Sequence, residues 1–452
     1  MVFKPFPSLS RAGQMALQEP VDLSGVAISP AQAMAAAGND TSALRLVERG
    51  GKPAYIVETA MGLVAVDAAT SAVLAPMTQE ATRNVAARLL GGTALVVAPI
   101  AYDQWVVHNR FDPLRPFFRI EARDAIGTEL YLSARTGELV QRTLGTERAW
   151  NWAGAVLHWV YFTPLRSSFS AWDTTVWLLS FVAMLVAIAG TILGIIRTVA
   201  ALRQARRSLS FFRGRWMRWH HISGLFVSPI ILVWIFSGWL SMDHGRLFSR
   251  GQATPTQLAA FHGRPLSQSL AGINVSMLRT LPVAAEIAFD VIGGEPVIIV
   301  SDPTGSIRTF DGEARAISPV TLLASAKRGV AAAWPKAQIG SVSSVKPTDI
   351  FALAEGWPQA TIALTLVGKD APSIYVDSRD GRLLTVMTAS RAEYAWLYYT
   401  LHTLNFPALS SRPLLRRILI VALLLFGFIF SMTGCVIGIE RLRRSALGFP
   451  SR

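Results

Sequence analysis

The chain has 452 residues, 51% of them hydrophobic and 16% charged, with a formal net charge of +14 and a mean hydropathy of +0.38. That is too apolar for an ordinary soluble protein and too polar for one wholly embedded in lipid, so a few spanning helices joined to soluble domains are expected. The single cysteine, Cys435, excludes an intrachain disulfide, a cysteine-based zinc site and an iron–sulfur cluster, and basic residues gathered beside apolar runs point to membrane topology rather than to nucleic acid.

Taken in chain order, the N-terminal MVFKPFPSLS lacks the apolar core of a signal peptide. SPAQAMAAA (29–37) predicts a helix with Ser29 as N-cap and Pro30 at its first position, and TQEATRNVAARLL (78–90) a second helix capped by Thr78. LVAVDAATSAVLAP (63–76) and ELYLSARTGELVQR (129–142) read as strand–turn–strand units, as do GSIRTFDGEARAI (305–317) and SIYVDSRDGRLLTV (373–386). Each soluble region is therefore expected to be a small α+β domain, a helix on an antiparallel sheet.

Three stretches reach the roughly 20 apolar residues that a spanning helix needs. They are WLLSFVAMLVAIAGTILGII (177–196), ISGLFVSPIILVWIFSGWLSM (222–242) and ILIVALLLFGFIFSMTGCVIGI (418–439). Cys435 falls in the last, where a small buried hydrophobe is expected. Trp172, Trp177, Trp219 and Trp239 lie near span ends. Between the first two spans stand Arg197, Arg203, Arg206, Arg207, Arg213, Arg215 and Arg218 with no acidic residue, and after the third stand Arg441, Arg443, Arg444 and Arg452. The positive-inside rule makes both segments cytoplasmic, with Arg416 and Arg417 as a smaller opposing signal. The division is a soluble domain 1–147, a histidine-bearing segment 148–170, a span 172–197, a loop 198–219, a span 220–242, a soluble domain 243–390, a histidine-bearing segment 391–413, a span 415–440 and a tail 441–452.

The two halves repeat. RAWNWAGAVLHWVYFTPL (148–165) is similar to RAEYAWLYYTLHTLNFPAL (391–409), which aligns His158 with His402 at an offset of 244. The same offset pairs Gly190 with Gly434, Gly194 with Gly438 and Arg197 with Arg441. RGGKPAYIV (49–57) matches IGGEPVIIV (292–300). The second copy has an extra span in front, and Met1 aligns with a position just past it, so a further N-terminal helix supplying export is expected to be missing from the chain. The two G-x-x-x-G patterns, Gly190/Gly194 and Gly434/Gly438, read as close helix packing.

These features together resemble the PepSY-associated transmembrane family of iron-regulated membrane proteins. The resemblance rests on RWHHISGLF and FSGWLSM around the second span, on LYLSARTGELVQR followed by LHWVYF, and on the closing TGCVIG. It covers nearly the whole chain. It implies a multi-pass α-helical protein of the bacterial inner membrane, with two α+β PepSY-like domains in the periplasm from an internal tandem duplication. Some members are ferric-siderophore reductases with haem b held by membrane histidines.

Of seven histidines, His108 and His262 sit in polar stretches and read as solvated, while His158, His220, His221, His244 and His402 cluster at membrane boundaries. Intramembrane histidines are costly and functional by default, and imidazole is a common axial ligand of haem iron. His158 and His402 occupy repeat-equivalent positions, hence similar depth, and are the expected ligands of one haem; the plainer alternative is an aromatic belt with Trp152, Trp159, Tyr161, Tyr398 and Tyr399. His220 or His221 is expected to face a second haem on the cytoplasmic side, with Gly224 making room one turn on, or else to extend the arginine cluster toward lipid headgroups. His244 ranks below His158 and His402 as a substitute ligand of the outer haem. The expected activity is one-electron transfer to a periplasmic ferric siderophore or other ferric chelate. No nucleotide, flavin, Walker or zincin motif appears, so the donor is another protein, a quinol or free reduced flavin. A non-catalytic PepSY module that restrains peptidases is the second hypothesis, and a siderophore-uptake accessory the third.

Overall fold

A computed structural model describes residues 7–38, 41–91, 94–204, 209–248 and 250–446. Arg206, Arg207, Arg452 and the segment before Pro7, all used in reading the topology, lie outside the described residues.

Three helices among the described residues are long and apolar enough to cross a membrane: Phe169–Arg203, Arg215–Ser241 and Pro413–Ala446. They have 35, 27 and 34 residues, longer than the apolar runs because each helix continues into its polar flanks. At 1.5 Å per residue even the shortest spans about 40 Å, more than the ~30 Å hydrocarbon layer. Their outer faces carry exposed aliphatic residues such as Val186 (66%) and Leu425 (57%), which water would penalise and lipid tails accept. Cys435 is exposed on the third span rather than buried; helical periodicity puts it on the outward side, one residue beyond the inward-facing Gly434. The second span lies between the other two and packs on both.

Among the described residues, the part outside the spans contains three antiparallel sheets. The strands are β1 (Thr41–Glu48), β2 (Pro53–Thr59), β3 (Gly62–Asp67), β4 (Leu95–Val96), β5 (Phe117–Glu121), β6 (Glu129–Ser133), β7 (Leu139–Thr143), β8 (Glu286–Ile292), β9 (Glu295–Ser301), β10 (Ile307–Phe310), β11 (Gln338–Ser344), β12 (Thr361–Val367), β13 (Ser373–Asp377) and β14 (Leu383–Met387). Two sheets of four run β4-β5-β6-β7 and β11-β12-β13-β14. Helix Gln79–Leu90, capped by Thr78, covers the first, and helix Pro319–Ala333, capped by Ser318, covers the second. This is the expected helix-on-sheet unit, and all four anticipated turns form.

The third sheet departs from that expectation. Its six strands run β10-β9-β8-β1-β2-β3, so three come from each half of the chain. β1 and β8 join them, with Leu44 opposite Phe289 and Leu46 opposite Ile287. One apolar core backs the join and draws on Val21, Tyr55 and Val57 from one half and Ile287, Ile298 and Leu278 from the other. Helix Pro30–Ala37 starts on the anticipated Ser29, whose hydroxyl and Gln32 form a reciprocal capping box.

A buried charge network ties this sheet to the first four-stranded one. Arg45 on β1 ion-pairs with Glu138 in the β6–β7 turn and with Glu286 on β8, and Arg11 completes Glu286. Glu138 and Glu286 are each 2% exposed. Burial works to raise the Glu286 carboxyl, but Arg45 and Arg11 outweigh it and hold the pKa below the usual range.

Candidate functional site

β7 and β14 each lead directly into a histidine-bearing helix. After β7, helix Gly145–Asn151 passes into a π turn, Trp152–Val156, two residues before His158. After β14, helix Ala389–Thr403, capped by Thr388, carries His402 in its last turn. Two residues past each histidine the backbone turns left-handed, at Val160 (φ 51°) and Leu404 (φ 53°). Such values are costly for a β-branched or branched side chain, and strain of this kind gathers at functional sites.

The structure brings these two histidines together. The His158 and His402 ring centres are 6.1 Å apart with planes inclined by 27°. His402 lies against the C-terminal half of the second span, its Nδ1 3.1 Å from Ser237 Oγ, and Tyr398 flanks it at 5.6 Å. Tyr394 donates to Ser241 O and fixes the same helix to the span. Burial, then the adjacent His158, lowers the His402 imidazole to about 4, so it is neutral and its lone pair is available at ordinary pH.

His220 and His221 diverge, because successive helical residues point about 100° apart. His220 faces the third span: its ring stacks on Phe430 at 4.4 Å, and its Nδ1 is 2.9 Å from Thr433 Oγ1. His221 faces the first span and is 7% exposed. Its Nε2 is 2.9 Å from Gly194 O and its Nδ1 3.1 Å from Ser210 Oγ, so both ring nitrogens are engaged by protein. Gly224 gives the third span close approach instead of open space, since a Cβ there would stand 3.0 Å from Phe430. Gly194 and Gly434 likewise admit neighbours on the second span, whereas Gly190 and Gly438 face nothing within 4 Å.

His244 stands apart from the pair. Its Nδ1 meets Asp173 Oδ2 at 2.6 Å and its ring stacks on Trp177 at 4.9 Å. His108 and His262 are partnered rather than merely solvated. His108 Nδ1 accepts from Arg110 N, and His262 Nδ1 donates to Val291 O. The sequence reading missed Ser237, Thr433 and Asp173 as histidine partners. The SG and TG dipeptides inside FSGWLSM and TGCVIG were the available signal.

The donor set can be tested against an axially held iron. Among the described residues no cluster of three or more His, Cys, Asp or Glu is placed to hold a metal ion. Two facing imidazoles suit a metal whose remaining positions come from a macrocycle. With each nitrogen about 2 Å from a shared metal, the ring centres stand about 6 Å apart, the separation found for His158 and His402. That separation is the feature of the pair that suits such a group.

The family described as PepSY-associated TM region matches residues 55–441 of this chain. No curated protein and no solved structure matches it.

Proposed function

The chain belongs to the PepSY-associated TM region family, and on that premise we propose that it is a haem-bearing electron-transfer protein of the bacterial inner membrane that reduces a ferric chelate, of the siderophore class, in the periplasm. One observation carries this reading: His158 and His402, 244 residues apart in the chain, put their ring centres 6.1 Å apart beside the outer end of a membrane span. An aromatic belt alone gives no reason for two imidazoles to converge from separate segments.

A tandem duplication accounts for that convergence. Under an offset of 243, Leu44 corresponds to Ile287 and Leu46 to Phe289, and the β1–β8 register pairs Leu44 with Phe289 and Leu46 with Ile287. The pairing thus maps onto itself when the halves are exchanged, as a pseudo-dyad requires. Val160 and Leu404, both left-handed, are likewise repeat equivalents. The arginine-rich ends of the spans at Arg197, Arg203, Arg213, Arg215, Arg218 and Arg441 to Arg444 lie opposite the soluble sheets, which supports a periplasmic soluble part and a cytoplasmic C-terminus.

His158 and His402 would hold the outer haem, and His220 would supply one residue to an inner one. Haem bound there supplies one-electron redox chemistry. Ser237, which holds His402, and His220 stand 17 residues apart on the second span, about 25 Å along its axis. One site thus lies near each face of a ~30 Å hydrocarbon layer. A one-electron reduction of Fe(III) to Fe(II) in the bound chelate weakens its bonds to hard oxygen ligands and frees the metal. The electron comes from a cytoplasmic protein, a quinol or a reduced flavin.

The test is the absorption spectrum of the protein purified from a haem-replete host. A Soret band that shifts on dithionite reduction, and is lost in a His158→Ala/His402→Ala variant that still folds, supports the carrier. A colourless preparation overturns it and favours the non-catalytic binding module.

A further inference from the structure

Two of the candidate histidines sit in the same kind of seat. Ser237 Oγ is 3.1 Å from His402 Nδ1, and a Cβ on the next residue, Gly238, would stand 3.3 Å from His402 Cε1. Thr433 Oγ1 is 2.9 Å from His220 Nδ1, and a Cβ on the next residue, Gly434, would stand 3.4 Å from His220 Cε1. In each case a hydroxyl residue followed by glycine, on a facing span, receives one edge of an imidazole. The glycine lets the ring lie close, and the hydroxyl addresses its Nδ1.

The protons can be assigned from the partners. A serine or threonine hydroxyl has one hydrogen to give. That of Ser237 goes to Val233 O at 2.7 Å, one helical turn back, and that of Thr433 to Phe430 O at 2.6 Å. A helical serine or threonine ordinarily gives that hydrogen to the carbonyl a turn behind it, which leaves each hydroxyl oxygen to meet its histidine as an acceptor. With the hydroxyl hydrogen on the carbonyl, Nδ1 carries the ring hydrogen and Nε2 keeps the lone pair. His221 is the internal contrast. Its Nε2 faces the carbonyl of Gly194 at 2.9 Å, so there Nε2 carries the hydrogen, and the lone pair sits on Nδ1, 3.1 Å from the Ser210 hydroxyl.

We propose that Ser237–Gly238 and Thr433–Gly434 are two copies of one imidazole cradle, positioning residues that hold His402 and His220 in the Nδ1–H form with Nε2 free to ligate iron, while His221 is fixed in the opposite tautomer as a fastener between the first and second spans. Outer-sphere hydrogen bonds of this kind orient a ligating imidazole and raise its basicity. The iron-binding consequence rests on the electron-carrier reading; the tautomers do not, because they belong to the chain itself.

The experiment uses the full chain labelled with 15N-histidine in lipid bilayers, first without haem. Nitrogen chemical shifts should show Nδ1–H forms for His402 and His220 and an Nε2–H form for His221. Ser237→Ala should release the His402 tautomer and Ser237→Thr should restore it; Thr433→Val and Thr433→Ser should do the same for His220. With haem added, Ser237→Ala should weaken retention at the outer site about 10- to 100-fold and raise that site's midpoint potential, with Ser237→Thr close to the parent. Nε2–H forms at His402 or His220 in the parent chain, or alanine and valine variants with unchanged tautomers and haem retention, overturn the cradle. A parent chain with the expected tautomers that takes up no haem sinks the electron-carrier reading and leaves the cradle standing.

Discussion

Replacing Arg45 by methionine tests whether the charge network joins the two halves. The substitution roughly keeps the side-chain length and removes the cation. Glu138 then keeps no ion-pair partner among the described residues, with its side chain 1% exposed, while Glu286, at 3%, retains only Arg11. Breaking a buried pair from one side costs about 3–5 kcal/mol, a large share of the 5–15 kcal/mol that holds a typical domain together. At roughly 2–4 °C per kcal/mol for a domain of 150–250 residues, the soluble part should melt about 6–20 °C earlier. Thermal unfolding followed by near-ultraviolet circular dichroism measures this. Arg315→Ala is the control, because that guanidinium is 69% exposed beside Asp311 and Glu313 and exposed pairs contribute about 0–1 kcal/mol. Arg45→Met with Glu138→Leu should recover much of the loss, since an apolar replacement of a whole buried pair is often neutral. An Arg45→Met protein that melts within about 2 °C of the parent would refute the reasoning. The effect should also reach the histidines, because the β6–β7 turn that Arg45 grips leads through β7 into the segment bearing His158.

Acid stability should depend on the same network. The folded Glu286 carboxyl is held below its ordinary value, so its contribution is intact above the unfolded value of about 4.3 and is lost as pH falls through the lower folded value; a Glu286→Gln protein, less stable at pH 7, should show a flatter acid-unfolding curve below pH 4. Gly434→Leu should disturb the inner site alone, because the new side chain meets His220 while His402, beside His158, is anchored at the far end of the second span; difference spectra of the two sites separate the outcomes, and equal loss at both would count against two independent seats.

The legible parts of the fold were those whose cause is local. Apolar runs of spanning length, the Ser29–Pro30 and Thr78 caps and the turns at Thr136–Gly137 and Asp380–Gly381 are each set by residues within a few positions of one another. The shared sheet was not legible. Nothing near Leu44 specifies Phe289 as its partner, because that register arises from burial across a join between distant segments. The site divides the same way. The pairing of His158 with His402 followed from repeat equivalence. The roles of His220 and His221 depend on which neighbouring helix each one faces, and the hydroxyls that seat His220 and His402 lie 213 and 165 residues away.

The strand that joins the halves also fixes an order of manufacture. Synthesis runs at about 5–20 residues per second, so β1 leaves the ribosome roughly ten to fifty seconds before β8. During that interval the nascent half holds Leu44 and Leu46 along an unclaimed edge while two helices are threaded into lipid behind it. An open edge of this sort recruits any extended strand it meets. A cell making this protein must shield that edge or crowd out competitors, and variants that slow β8 should lose yield through clumping long before they lose any property of the finished molecule.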